Sequence, residues 1–400
     1  MQTQLAEFIR DTPEGREAEA ILRKCVHCGF CTATCPTYQL LGDELDGPRG
    51  RIYLVKQVLE GVAPTQKTQL HLDRCLTCRS CESTCPSGVQ YGRLADIGRG
   101  IVEKKVGRGA AGGLARRVLG AVLPRTALFG ALLSLGRALR FAAPAALRAK
   151  IPAAIAPRGS WPPARHARRM LALAGCVQPA LAPDINAAAA RVLDRAGISL
   201  VEAPRAGCCG AVRFHLNAQD AGLDDMRALI DAWWPMVERG EVEAIVMTAS
   251  GCGATVRDYG HLLAHDPAYR DKAARISALT RDLCEVVPEA SLPKSARPMR
   301  VAFQSPCSLQ HGQQVRGRVE ALLRAAGHEL TPVAEPHLCC GSAGTYSILQ
   351  PDLSAQLRER KLANLAAGAP AAVATANIGC LAHLQGGSAV PVKHWIELVE

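Results

Sequence analysis

Eight of the seventeen cysteines fall in two copies of one spacing. Cys25, Cys28, Cys31 and Cys35 precede Pro36, and Cys75, Cys78, Cys81 and Cys85 precede Pro86, each as C-x2-C-x2-C-x3-C-P and fifty residues apart. Three thiolates at two-residue intervals wrap three corners of an iron–sulfur cube around a tight turn, whereas the fourth, set off by three residues and a proline, points elsewhere. Structural zinc is the alternative, because C-x2-C pairs also ligate zinc. A tetrahedral zinc takes two such pairs, but here a single run supplies four cysteines, twice over. The spacing therefore favours two [4Fe–4S] clusters.

Where two such runs occur together, the fourth cysteine serves the other cluster. Cys25, Cys28, Cys31 and Cys85 are thus expected around one cube, and Cys75, Cys78, Cys81 and Cys35 around the second. The forty residues between the runs are long for a β-rich scaffold. Leu54, Val55, Val58 and Leu59 fall at helical spacing and positions 70–76 continue it, so a helical domain is expected. Gly47, Pro48 and Gly50 are expected to break the chain just before that helix. Arg49 and Arg51 then lie either beside an anionic cluster or in solvent as loop arginines.

A second repeat follows. Gly175-Cys176 is followed by Cys208-Cys209-Gly210 and Ser250-Gly251-Cys252, and Pro306-Cys307 by Cys339-Cys340-Gly341 and Ile378-Gly379-Cys380. The interval from the first cysteine to the pair is 32 residues in both, and the units lie about 131 residues apart. Each unit alternates strand and helix: strands over 170–174, 198–202 and 244–248 with helices over 186–196 and 224–237, then strands over 300–304, 329–333 and 371–375 with helices over 318–326 and 354–366. That is an α/β pattern with the cysteines after the strands. Ligands in such sheets bind beyond the carboxyl ends of the strands, so Cys176, Cys208, Cys209 and Cys252 can converge, as can Cys307, Cys339, Cys340 and Cys380. Small buried residues in tight glycine turns are the alternative, but the adjacent cysteines with glycine in both units favour metal or redox chemistry. Cys284 has no repeat partner and reads as an ordinary thiol.

The net charge is +11. Between positions 104 and 183 there are fourteen Lys and Arg and no Asp or Glu, so the other 33 basic residues of the 47 face all 36 acidic ones. One segment makes the chain basic. It either lies on an anionic membrane or an acidic partner, or is a solvated connector, which Pro152, Pro157, Pro162 and Pro163 suit. It lacks the interleaved aromatics of a nucleic-acid site, so no nucleic-acid partner is expected. Its Ala- and Leu-rich stretch over 118–147 is interrupted by Pro124, Arg125, Arg137 and Arg140, which leave an uncharged run of eleven residues over 126–136, short of the roughly 20 that a spanning helix needs. Glu7, Arg10, Asp11, Glu14 and Arg16 stand where an export signal needs an apolar core. A cytoplasmic chain is expected, and its cysteines are then metal ligands rather than disulfides.

Gly107, Gly109 and Gly112 match G-x-G-x-x-G, but no acidic residue follows before Asp184, and a dinucleotide site needs one about twenty positions on. No Ser–His–Asp order, phosphate loop or zinc-protease helix is present, so no catalytic residue is assigned to this chain.

The two cysteine runs followed by two CCG units resemble the iron–sulfur subunits of flavin-dependent dehydrogenases of hydroxy acids or glycerol phosphate, and also the cysteine-rich subunit of heterodisulfide reductase. The stretches CVHCGFCTATCPTY (25–38), GDELDGPRGRI (42–52), DAWWP (231–235) and TANIGC (375–380) are similar to the glycolate oxidase iron–sulfur subunit family in particular. The resemblance implies an α+β multidomain chain, with a helical ferredoxin-like domain over 1–103, a basic connector over 104–165 and two α/β CCG domains over 166–292 and 293–400. It also implies electron relay from FAD on flavoprotein partner subunits, where glycolate becomes glyoxylate, to a quinone of the respiratory chain, with the chain peripheral on the cytoplasmic face of the inner membrane. The same role with D-lactate or glycerol 3-phosphate, or in a thiol–disulfide reductase, is the alternative. Relatives whose CCG units hold unusual clusters end each unit in C-x2-C. Here Cys252 is followed by Gly253, Ala254 and Thr255, and Cys380 by Leu381, Ala382 and His383. Four cysteines per unit remain, enough for one further cluster, with His383 as a substitute ligand.

Overall fold

The computed structural model describes residues 1–142, 151–152 and 154–400. Positions 143–150 and 153 of the basic connector, Arg148 and Lys150 among them, lie outside the described residues. The chain forms two compact units, Met1–Arg116 with His337–Lys361, and Arg117–Pro336 with Leu362–Glu400.

The first unit is helical. Apolar residues at helical spacing bury one face of each of three helices, Pro13–Lys24, Pro48–Leu59 and Tyr91–Val106, and Ile21, Leu22, Val55, Leu59, Leu94 and Val102 make the shared core. The helix expected after Gly50 starts earlier. Pro48 occupies its first turn, where a missing N–H costs nothing, so Arg49 and Arg51 are helical rather than loop residues.

The second unit holds two parallel sheets. Strands β1 (Arg168–Ala172), β2 (Ile198–Glu202), β3 (Ile245–Met247) and β4 (Thr280–Asp282) run in the order β2-β1-β3-β4. Strands β5 (Arg300–Gln304), β6 (Glu329–Leu330), β7 (Ala372–Thr375) and β8 (Val392–His394) repeat it as β6-β5-β7-β8. Successive side chains of β1 and β3 point to opposite faces: Met170, Ala172 and Val246 enter one core, Leu171, Ile245 and Met247 the other. Helix Asp184–Arg195 covers the first face with Ile185, Ala189 and Val192, and helix Gln219–Glu238 covers the second with Met226, Ile230 and Trp233. The first core also takes Val301, Phe303, Ala374 and Trp395, so the repeats share it. Where they meet, Ser250 N–H donates to Ala376 O (3.1 Å), Gly251 N–H to Asn377 Oδ1 (3.1 Å), and His394 Nε2 pairs with Thr248 O (2.9 Å).

Helices Ala110–Val122 and Thr126–Ala138 bury no residue. No single described helix is long and apolar enough to cross a membrane, although these two pass that test as a pair bent by 108°.

Candidate metal centres

The two cysteine loops of the first unit wind alike. His27 (φ 57°) and Gly29 (φ 86°) are left-handed, and fifty residues on so are Thr77 (φ 53°) and Arg79 (φ 58°). Three of these four are not glycine, and each such residue costs about 1–2 kcal/mol. Strain of this kind persists where the surroundings fix it, as around a bound group.

Each loop opens onto a cavity. One is lined by Cys25, Cys28 and Cys31 with Cys85 and Cys81. The other is lined by Cys75, Cys78 and Cys81 with Cys35. The structure thus brings the fourth cysteine of each run to the cavity of the other run. Pro36 and Pro86 follow these cysteines, and Pro36 starts the helix Pro36–Leu41 that carries the chain away. Thiol sulfurs are the principal soft donors in both cavities, and an iron–sulfur cube suits them. Tyr91 lines both cavities, and its buried hydroxyl lies against the Cys75 thiol.

The electrostatics differ between the two. Burial, together with the neighbouring thiols, pushes Cys31 up to about 11. Burial also opposes ionisation of Cys75, but Arg51 and Arg99 overcome it and hold that thiol below its ordinary value. The sequence offers Arg51 as a candidate cluster neighbour, and its burial favours that placement over a solvated loop; Arg99 carries no motif, and only burial singles it out.

In the second unit, the strand order turns outward from β1 and β3, the switch point at which ligands bind in open α/β sheets. Cys176 follows β1, Cys208 and Cys209 follow β2, and Cys252 sits in the first turn of the helix Ser250–Arg257 after β3. Their thiols make one chain of contacts, Cys176 to Cys208 to Cys209 to Cys252. These contacts lower Cys208 and raise Cys176 and Cys209. Arg213, tied to Asp225 at 2.6 Å, adds positive charge beside Cys208. The glycine of the pair is required here. Gly210 is left-handed (φ +81°), and a Cβ would stand 2.5 Å from Gly222 O and 2.8 Å from Met226 Cγ.

The second set is divided. Cys307 and Cys380 belong to the second unit, and Cys339 and Cys340 to the first. Gly341 repeats the left-handed turn at φ +89°. Tyr346 donates to Arg74 O at 3.1 Å and feels both Cys75 and Cys339. His383 lies on the helix Ile378–Gln385. Cys284 is fully buried beside Asp282 and its thiol is pushed up by burial, as an inert packing residue would be. Gly107 ends a helix rather than a strand, which removes the dinucleotide reading.

Family models match the two cysteine patterns of the sequence. A "4Fe-4S dicluster domain" matches residues 21–89, and a "Cysteine-rich domain" matches 170–257 and 301–385. The chain is 57% identical to the glycolate oxidase iron-sulfur subunit of Escherichia coli (strain K12), over 100% of this chain and 98% of that one. It is 29% identical to the probable glycolate oxidase iron-sulfur subunit of Bacillus subtilis (strain 168), over 93% and 90%. Lactate utilization protein A of Exiguobacterium sp. is 24% identical over 56% of this chain and 94% of its own.

Proposed function

Because this chain belongs to the family of glycolate oxidase iron–sulfur subunits, we propose that it relays electrons from glycolate, oxidised to glyoxylate on flavoprotein partners, toward a membrane quinone. The carrying observation is the pair of cysteine-lined cavities joined by exchanged fourth cysteines. We assign Cys25, Cys28, Cys31 and Cys85 to one [4Fe–4S] cluster and Cys75, Cys78, Cys81 and Cys35 to the other. Such clusters supply one-electron transfer. The protein's part is to hold the two sites side by side, with Tyr91 and Cys81 reaching both.

Oxidation of a hydroxy acid removes two electrons together and calls for a flavin or nicotinamide against the substrate. Glycolate is preferred over lactate because the full-length relatives carry that name, whereas the lactate relatives match about half the chain. The four thiols around Cys208 are assigned to one further cluster or redox group.

Peripheral attachment at the cytoplasmic face of the inner membrane is part of the proposal. On the helix Thr126–Ala138, Leu128, Leu132 and Leu135 are exposed in a stripe that Leu139 continues. Phe141 beyond it is 80% exposed. Arg125, Arg137 and Arg140 flank the stripe with no acid nearby in sequence, the composition of a helix lying in an anionic lipid surface.

The test is to mix the reconstituted chain with glycolate and an artificial dye, with and without the flavoprotein subunits. Dye reduction is expected only with them. Turnover by this chain alone would refute the division of labour.

A further inference from the structure

The two cavities differ in the fixed charge around them. Arg51, only 1% exposed, donates to His71 O (2.7 Å), Thr37 Oγ1 (3.1 Å) and Asp46 Oδ1 (3.3 Å), and Thr37 Oγ1 lies 3.4 Å from Cys35 Sγ. Arg74 shares Asp46 at 2.8 Å. Arg99, 7% exposed, donates to Leu72 O (2.7 Å), Cys75 O (2.6 Å) and Thr77 Oγ1 (2.8 Å). The acceptors of Arg99 are all neutral. The carboxylate of Asp73 is taken by Arg108 (2.6 Å) and Arg116 (3.1 Å). A buried guanidinium without an anion is costly, so Arg99 needs a counter-charge where it points. Its bonds to Cys75 O and Thr77 aim it at the loop that lines the second cavity.

Around the first cavity the cations are exposed or spoken for. Arg49 is 38% exposed and bonded to Glu44 at 2.7 Å, and the amino group of Met1 donates to Cys25 O at 2.8 Å from a partly exposed position. Cys28 is exposed, and Val26 and Phe30 beside it are 69% and 62% exposed. Solvent screens charge there far more than at the buried arginines.

A cube held by four thiolates is anionic and gains one negative charge on reduction, and its potential follows net charge and exposure. We propose that Arg99, with Arg51, holds the second cluster at the higher potential, so that electrons enter at the exposed first cluster and pass inward to the second. In each transfer the first cluster is oxidised by one electron and the second reduced by one, with no bond made or broken. The inference rests on reading both cavities as [4Fe–4S] sites.

The experiment is an anaerobic potentiometric titration of the full chain followed by EPR, after iron analysis. Roughly eight irons or more per chain establish the two sites independently of their potentials. Two reduction waves are expected from these two sites. Cys35→Ser should remove the higher one, and Arg99→Gln should lower it by at least about 59 mV, a tenfold change for one electron, while leaving the other in place. Arg99→Lys, which keeps the charge, should restore most of the shift. In the native chain, raising salt should move the lower wave and spare the higher, a measurement that stands even if Arg99→Gln fails to load. Loss of the lower wave in Cys35→Ser, equal shifts of both waves in Arg99→Gln, or a salt response confined to the higher wave would each overturn the inference.

Discussion

His394 is a neutral imidazole sealed between the repeats, and burial lowers its pKa to about 3. Its Nε2 pairs with Thr248 O and its Nδ1 accepts from Ile396 N–H. The unfolded chain binds a proton near pH 6.5 that the folded one refuses, so this residue's contribution is present above pH 6.5 and is lost as pH falls below it. Between pH 7.5 and 5 the loss is about 2 kcal/mol. Asp282, pushed up to about 6 by burial, works in the opposite sense over part of that range. Thermal unfolding of His394→Gln should therefore fall less with acid than that of the native chain, and parallel curves would refute this. Single residues were unevenly legible. The eight cysteines announce themselves by spacing, and the exchange of Cys35 and Cys85 follows from a chemical rule. Arg99 has no such signal: it lies within the helix Tyr91–Val106 like any polar residue of an amphipathic pattern, and only packing makes it a buried cation.

At the scale of elements, β2 and β5 fall at the expected positions, and β1, β3 and β7 within two residues of them, because apolar runs before the cysteine turns mark them. β4 and β8 were not legible. They are three residues long, and Thr280, Asp282 and His394 are polar residues buried at a sheet edge where an apolar pattern would be sought. The basic connector contains two helices that its composition did not announce, and Arg108, Arg116, Arg165 and Arg168 of the basic segment are ion-paired. The glycine turn of the first repeat gives a prediction for its element. Gly210→Ala forces a left-handed alanine against the backbone of the helix Gln219–Glu238 and should destabilise the second unit by about 2–4 kcal/mol. Urea unfolding followed by tryptophan fluorescence reads this through Trp233, buried in the same core. A loss below half a kcal/mol would show that the helix yields freely.

For the molecule as a whole, attachment to a surface should reside in one segment. In cosedimentation with vesicles containing anionic lipid, the native chain is expected to bind and Leu132→Glu with Leu135→Glu to lose at least tenfold in affinity. Undiminished binding by that variant, or equal binding to neutral vesicles, would move the attachment elsewhere. The division into units was the least legible feature, since nothing in the sequence of 337–361 separates it from the repeat in which it stands; its place is decided by packing such as Tyr346 on Arg74. That discontinuity has a consequence in time. The first unit has all eight of its run cysteines by residue 85, yet its remaining piece is synthesised only after the whole stretch from 117 to 336, a delay of roughly ten to forty-five seconds at ribosomal speed. During that interval the nascent chain presents a cradle for iron whose wall near Cys75 is unfinished, so the ripening of that wall waits until about nine-tenths of the message has been read.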